Sequence, residues 1–322
     1  TNKKVLGEDH PEPLKAMGNL AVTYSKQGRW KEAEKLETQV MTKTKELLGE
    51  DHPETLTSMG NLALTHWSQG ELKEAEKLQT QVMTKTKELL GEDHPGTLTA
   101  MANLALTYLN QGQLKEAEKL QTHVMAKTKE VHGDEHPETL TAMGSLALTS
   151  GSQGRWKEAE KLQTQVMAKT KELLGEDHPE TLASMGNLAV TYSNQGRWKE
   201  AEKLQTQVMT KTKELLGEDH PETLASMGNL AVTYSNQGRW KEAEKLQTQV
   251  MTKTKELLGE DHPETLASMG NLAVTYSNQG RWKEAEKLQT QVMRKRKEML
   301  GEDNPKTLAA MANLASTWRS QG

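Results

Sequence analysis

The sequence predicts an all-α solenoid of helix-turn-helix repeats, and three observations carry that expectation. A Gly recurs at 7, 49, 91, 133, 175, 217, 259 and 301, so the 322-residue chain repeats every 42 residues without insertion. Each period holds two stretches whose apolar residues fall at helical spacing. Gly and His-Pro signals separate the stretches at fixed offsets.

Residues 175–216 illustrate one period. Leu182, Met185, Leu188, Ala189 and Tyr192 lie three, four and seven apart and form one stripe of a first helix, helix A. Pro179 suits the first helical position, because its missing N–H has no intrahelical partner there. His178 is then the expected N-cap, although Asp177 and Glu180 also read as a capping box starting one residue earlier. Gln195-Gly196 closes helix A, since Gly takes the left-handed conformation that ends a helix. Helix B follows at once, with Trp198, Ala201, Leu204, Val208, Met209 and Leu215 on its apolar side, and Leu216-Gly217 ends it. Neither helix buries its stripe alone, so hairpin must stack on hairpin.

The expected organisation is one array over residues 1–322. It comprises the end of a preceding helix B at 1–6, full repeats at 7–48, 49–90, 91–132, 133–174, 175–216, 217–258 and 259–300, and a lone helix A at 301–322. Residues 175–216 and 217–258 are identical, and 259–300 differs from them only at Arg294, Arg296 and Met299. Such identity implies recent duplication, homogenisation or design. The chain reads as a fragment of a longer array.

Composition narrows the partners. With 41 basic and 45 acidic residues, the formal charge of −4 offers no attraction to nucleic acid or anionic membrane. There is no Cys, no signal-peptide pattern and no apolar run long enough to span a bilayer, so a cytoplasmic, disulfide-free protein is expected.

The run Asn-Leu-Ala-x-x-Tyr-x-x-Gln-Gly-Arg-x-x-Glu-Ala-Glu-x-Leu, followed by Leu-Gly-x-Asp-His-Pro-x-Thr-Leu, resembles the 42-residue tetratricopeptide repeats of kinesin light chain. The resemblance covers essentially the whole chain. It implies a right-handed superhelix that binds protein segments or extended peptides along a concave face lined mainly by helix A. Near-identical repeats of this type are also similar to the C-terminal arrays of fungal and bacterial NOD-like signal-transducing ATPases, which implies a ligand-sensing region of a larger signalling protein. A kinesin-light-chain-like cargo adaptor is one alternative. An architectural or designed array that stacks end to end with itself, without a specific ligand, is another. No phosphate-loop motif occurs in the sequence.

Counting 100° per residue, 183, 186, 187, 190 and 194 fall beside the packing stripe and are expected to line the groove. Down the array this face carries Asn19, Asn61, Asn103, Asn187, Asn229, Asn271 and Asn313, interrupted by Ser145. An amide matches the donors and acceptors of an extended backbone, and it equally serves to bond neighbouring turns. Val190, Val232 and Val274 with Asn194, Asn236 and Asn278 give a neutral surround. Gly18, Gly60, Gly144, Gly186, Gly228 and Gly270 precede the ladder, either to open the groove or to let helices approach closely. Differences between repeats fall at Lys15, Lys26, Trp67, Leu109, Gly151 and Arg319, which are assigned to the same face. Trp67 and Leu109, at one position of adjacent repeats, form a candidate apolar anchor, or Trp67 compensates for His66 replacing Tyr. The fourth repeat has Ser145, Ser150 and Gly151, and loss of a buried Tyr there, on the order of 3 kcal/mol, predicts a soft point over 145–153.

Chemistry is not expected. One His-Pro step per repeat, with repeats about 10 Å apart, does not gather ligands around one ion, so no metal or cofactor site is assigned. The Trp at 30, 156, 198, 240 and 282 gives way to Leu72 and Leu114, which fits packing and not base stacking. No nucleophile-base arrangement stands out from the repeat, and the chain is read as non-enzymatic.

Overall fold

The computed structural model describes residues 11–321, so the expected helix end at 1–6 lies outside the described residues. Fifteen helices and no strands occur among the described residues. The A helices are α1 (Pro11–Lys26), α3 (Pro53–Gln69), α5 (Pro95–Asn110), α7 (Pro137–Ser152), α9 (Pro179–Asn194), α11 (Pro221–Asn236), α13 (Pro263–Asn278) and α15 (Pro305–Gln321). The B helices alternate with them as α2 (Trp30–Leu48), α4 (Leu72–Leu90), α6 (Leu114–His132), α8 (Trp156–Leu174), α10 (Trp198–Leu216), α12 (Trp240–Leu258) and α14 (Trp282–Leu300). The chain forms two compact units, Thr1–Ala142 and Met143–Gly322, and the division falls within α7, just ahead of the segment 145–153.

Helix A begins where the sequence places it. His178 has extended backbone, φ −70° and ψ 139°, and its Nδ1 accepts the Glu180 N–H at 3.2 Å, with Pro179 in the first turn. His52, His94, His220 and His262 repeat the cap. In the last helix Asn304 replaces His, and its Oδ1 accepts the Lys306 N–H at 2.9 Å. The cap is therefore His178, and Asp177 instead pairs with Lys211 at 3.1 Å. Gly196 (φ 76°) and Gly217 (φ 91°) close the two helices in conformations that favour Gly.

A further hydrogen bond fixes the angle at which the next repeat enters. Thr181 is fully buried and donates through Oγ1 to the Gly175 carbonyl at 2.8 Å, as Thr55, Thr97, Thr223 and Thr265 do in their own repeats. The carbonyl left over at the end of helix B thus finds its donor in the first turn of the next helix A.

Packing is sequential within each unit. In the second unit α9 also touches α11, and α11 touches α13, so A helices line up beside one another. Leu182, Met185 and Val208 form one core cluster against Met167 and Leu204, and Leu224, Met227 and Val250 form the next against Met209 and Leu246. Burying each such Leu or Met contributes about 1.5–3 kcal/mol. Ala189 and Ala201 are fully buried, which lets the two helices of the hairpin approach closely. Leu215, expected on the packing stripe, lies in the last turn of α10 and is 51% exposed.

Polar ties join successive repeats. The Gln237 side-chain amide donates to the Trp198 carbonyl at 3.3 Å and to Glu202 at 2.9 Å, while Arg239 reaches the same Glu202 at 2.8 Å. Arg239 also lies 4.1 Å over the Tyr234 ring. Tyr192, Tyr234 and Tyr276 are half-buried under an Arg and not sealed in the core, so loss of the ring at Ser150 removes less than a fully buried Tyr does. Ser150 is itself fully buried and its hydroxyl has no partner among the described residues.

Candidate functional site

The face beside the packing stripe is solvent-facing. Asn187, Asn229 and Asn271 are exposed, as are Val190, Val232, Val274, Asn194, Asn236 and Asn278. Asn19 and Asn313 are also exposed, and Asn61 and Asn103 are half-buried. Among the described residues no hydrogen bond or ion pair is made by the side chains of Asn187, Asn229 or Asn271. The alternative in which these amides bond neighbouring turns finds no hydrogen bond to support it.

In the second unit this face encloses a cavity of about 340 Å³ between α11 and α13. Gly228, Asn229 and Val232 form one wall, Ala267, Ser268 and Asn271 the other, and Gln247, Val250 and Thr254 of α12 the floor. Glu264 is the one charged residue among its lining. The arrangement is a neutral slot with amides at its rim, suited to hydrogen bonding with a peptide backbone and unsuited to selecting a charged ligand.

The glycines of this face border open space. A Cβ built at Gly186, Gly228 or Gly270 meets nothing within 4 Å, and the same holds at Gly18, Gly60 and Gly144. Close helix contact is therefore not their purpose. Each costs the helix about 1 kcal/mol relative to Ala.

The position shared by Trp67, Leu109, Gly151 and Ser193 differs from its expected placement. Ser193 is buried and its hydroxyl meets Thr233 of the next helix A at 3.1 Å, and Ser277 meets Thr317 at 3.2 Å. It is a contact position between A helices. Gly151 likewise is buried, and a Cβ there would stand 3.2 Å from the Trp156 ring, so its assignment to the groove face is corrected. Trp67 still leaves 37% of its surface exposed, and Leu109 is half-buried.

Sequence reasoning missed a second set of hydroxyls. Thr212 meets Ser226 at 3.2 Å, and Thr44 with Ser58, Thr170 with Ser184 and Thr254 with Ser268 repeat the pair. These buried pairs join a helix B to the following helix A, and Thr254 with Ser268 also lines the cavity. Their signal was the recurrence of Thr and Ser on otherwise apolar stripes.

Models described as tetratricopeptide repeat match residues 14–54 and 55–96 and, overlapping one another, 99–168, 146–210, 186–252 and 234–298. The chain belongs to the tetratricopeptide repeat family. Among solved structures this tetratricopeptide array is similar to the nearly identical repeats of a putative kinesin light chain from Podospora anserina, at 33% identity over 64% of this chain and 97% of that one, with a TM-score of 0.56. A signal transduction ATPase with numerous domains from Pyrococcus horikoshii, described as having a tetratricopeptide repeat sensor, shares the fold at 13% identity, over 95% of this chain and 45% of that one, TM-score 0.55. NprR in complex with its cognate peptide NprX shares it at 15% identity, over 88% and 79%, TM-score 0.58. No curated protein matches the sequence significantly. Membership of this family supports a protein-binding scaffold. No described helix is long and apolar enough to cross a membrane.

Proposed function

We propose that the array binds an extended peptide or protein segment along the helix-A groove, as the ligand-sensing repeat region of a larger signalling protein. The observation that carries this reading is the neutral cavity between α11 and α13, with Asn229 and Asn271 at its rim and their amides free of protein partners. Packed helices stand about 8–10 Å apart, and an extended chain advances about 3.3 Å per residue, so one repeat spans about three residues of ligand. Successive Asn amides thus meet a peptide backbone at a regular interval. Val190, Val232 and Val274 offer apolar contact beside each amide. The sensor role draws on the Pyrococcus horikoshii neighbour, whose likeness is one of fold. The cargo-adaptor role draws on the Podospora anserina neighbour and uses the same groove.

The test is to select peptides on the parent array from a displayed library and measure their affinities for the variant N187A/N229A/N271A, with circular dichroism as the folding control. A drop of at least about tenfold in affinity with helicity intact supports the groove. Unchanged affinity and unchanged peptide choice place recognition elsewhere.

A further inference from the structure

His132 is the one residue that breaks the pattern of helix B endings. The other described B helices end in Leu48, Leu90, Leu174, Leu216, Leu258 and Leu300, whereas α6 ends in His132. The structure brings this side chain against the His136 cap: the two imidazoles stack with centroids 4.3 Å apart and planes at 20°. Glu138, in the first turn of α7, places Oε2 3.4 Å from Nε2 of His132. One ligand atom from each of the three residues lies within 4.8 Å of the other two. His132, at the end of the third repeat, thus adds a second imidazole beside the single His-Pro histidine that opens the fourth.

We propose that His132, His136 and Glu138 form a binding site for a borderline transition-metal cation of the zinc class. Two imidazoles and one carboxylate suit Zn²⁺, Cu²⁺ or Ni²⁺, whereas Mg²⁺ and Ca²⁺ prefer all-oxygen shells. With Zn–N and Zn–O bonds near 2.1 Å, tetrahedral ligand atoms stand about 3.4 Å apart. The His132–Glu138 pair already meets that separation. The remaining adjustment falls on side chains at the surface: His132 and Glu138 are exposed and His136 half-buried. Three protein ligands leave a fourth position to water.

The site has a built-in competitor. Nδ1 of His136 accepts the Glu138 N–H at 3.3 Å, a long capping bond. Ligation through Nδ1 uses that lone pair, and ligation through Nε2 moves the ring proton onto Nδ1, so the cap is lost by either route. Metal binding therefore frees the Glu138 amide at the start of α7 and ties the end of α6 to it through the ion. Among the described residues no other His-Pro cap stacks on a second imidazole, so the device is confined to the junction of the third and fourth repeats.

Isothermal titration of the whole chain with Zn²⁺, in a buffer that does not chelate, tests the proposal. The parent is expected to bind one ion with a dissociation constant below about 1 mM, with H132L weakening it at least about tenfold and H178A leaving it unchanged. H132L restores the residue that other repeats carry, so it preserves the fold, and E138Q gives the same loss from the carboxylate side. Faster hydrogen exchange at the Glu138 amide on adding Zn²⁺, absent in H132L, reports release of the cap. Absence of binding by the parent below about 1 mM, or H132L binding as the parent does, overturns it.

Discussion

Glu37 is the position at which the first repeat departs from its neighbours in the core, and replacing it with Gln has a calculable, pH-dependent effect. Gln79, Gln121, Gln163, Gln205, Gln247 and Gln289 occupy this position elsewhere and are buried, and Glu37 is only 5% exposed. Burial pushes its carboxyl up to about 7 from an ordinary 4.5, against the hydrogen bond from Thr65 and the nearby His66, with Glu34 adding to the rise. Its Oε2 has no partner among the described residues. The native state thus holds the proton more tightly than the unfolded chain. Below pH 4.5 the neutral acid costs nothing extra; between 4.5 and 7 the unfolded chain ionises while the buried acid resists, and stability falls as pH rises. Two and a half pH units at 1.36 kcal/mol each give an upper bound of about 3.4 kcal/mol, and relaxation with water entry brings the expectation to about 2–3 kcal/mol above pH 7. E37Q removes the penalty and offers a neutral amide where Gln79 accepts from Thr107 at 2.6 Å. Urea unfolding of parent and variant from pH 4 to pH 8, with hydrogen exchange along α2 to catch local melting, measures the difference. E37Q should match the parent near pH 4 and exceed it progressively up to pH 7. A difference that stays constant across that range, or a parent that is the more stable at pH 8, would refute the burial argument.

Two further substitutions separate stability from binding. G228A and G270A meet open space, so each should stabilise the fold by about 1 kcal/mol in urea titrations through helix propensity alone, while narrowing the groove and weakening peptides selected on the parent. Equal or lower stability would mean that the backbone needs the glycines for another reason. The pair S150Y/G151S restores to the fourth repeat the ring and hydroxyl seen at Tyr192 and Ser193, and should raise its stability by about 1–2 kcal/mol, read as slower exchange of α7 and α8 amides. G151S alone should be destabilising, because its Cβ stands 3.2 Å from Trp156 until the ring moves back.

The helices were legible because their punctuation is chemical. Pro179 after His178 and Gly at 196 and 217 fix both ends of both helices by backbone geometry that few other residues supply. The stripe Leu182, Met185, Leu188 and Ala189 is buried as the 3.6-residue period requires. Legibility stopped where angle along a helix ceases to decide what is next to it. Position 193 falls beside the groove by helical angle, yet α11 closes over it and a Ser there meets Thr233. Leu215 obeys the period and is exposed, because it lies in the last turn of α10, next to the loop that leads to α11. Hydroxyls on an apolar stripe, such as Thr212 with Ser226, read as noise in a hydrophobicity count. They resolve only when two repeats are placed together.

Near-identity between repeats sharpens the meaning of each departure. A residue present in every repeat answers to stacking, because each hairpin must present to the next the surface that the last presented to it. The Gln237–Glu202 tie is of that kind, whereas the Thr181 bond to Gly175 recurs at Thr55, Thr97, Thr223 and Thr265 but not at Thr139 or Thr307, and Arg239 gives way to Glu71 and Gln113 in two repeats. A residue present once is free of that demand. Glu37 places an ionisable group where the lattice uses an amide, and His132 places an imidazole where it uses a Leu, both in the first unit. The Asn ladder lies between these cases: it recurs, yet at 187, 229 and 271 no amide bonds the fold that it decorates. Repetition without a packing partner is what a surface needs when its ligand is itself periodic, as a peptide backbone is, and this argues for a polypeptide ligand over a compact one.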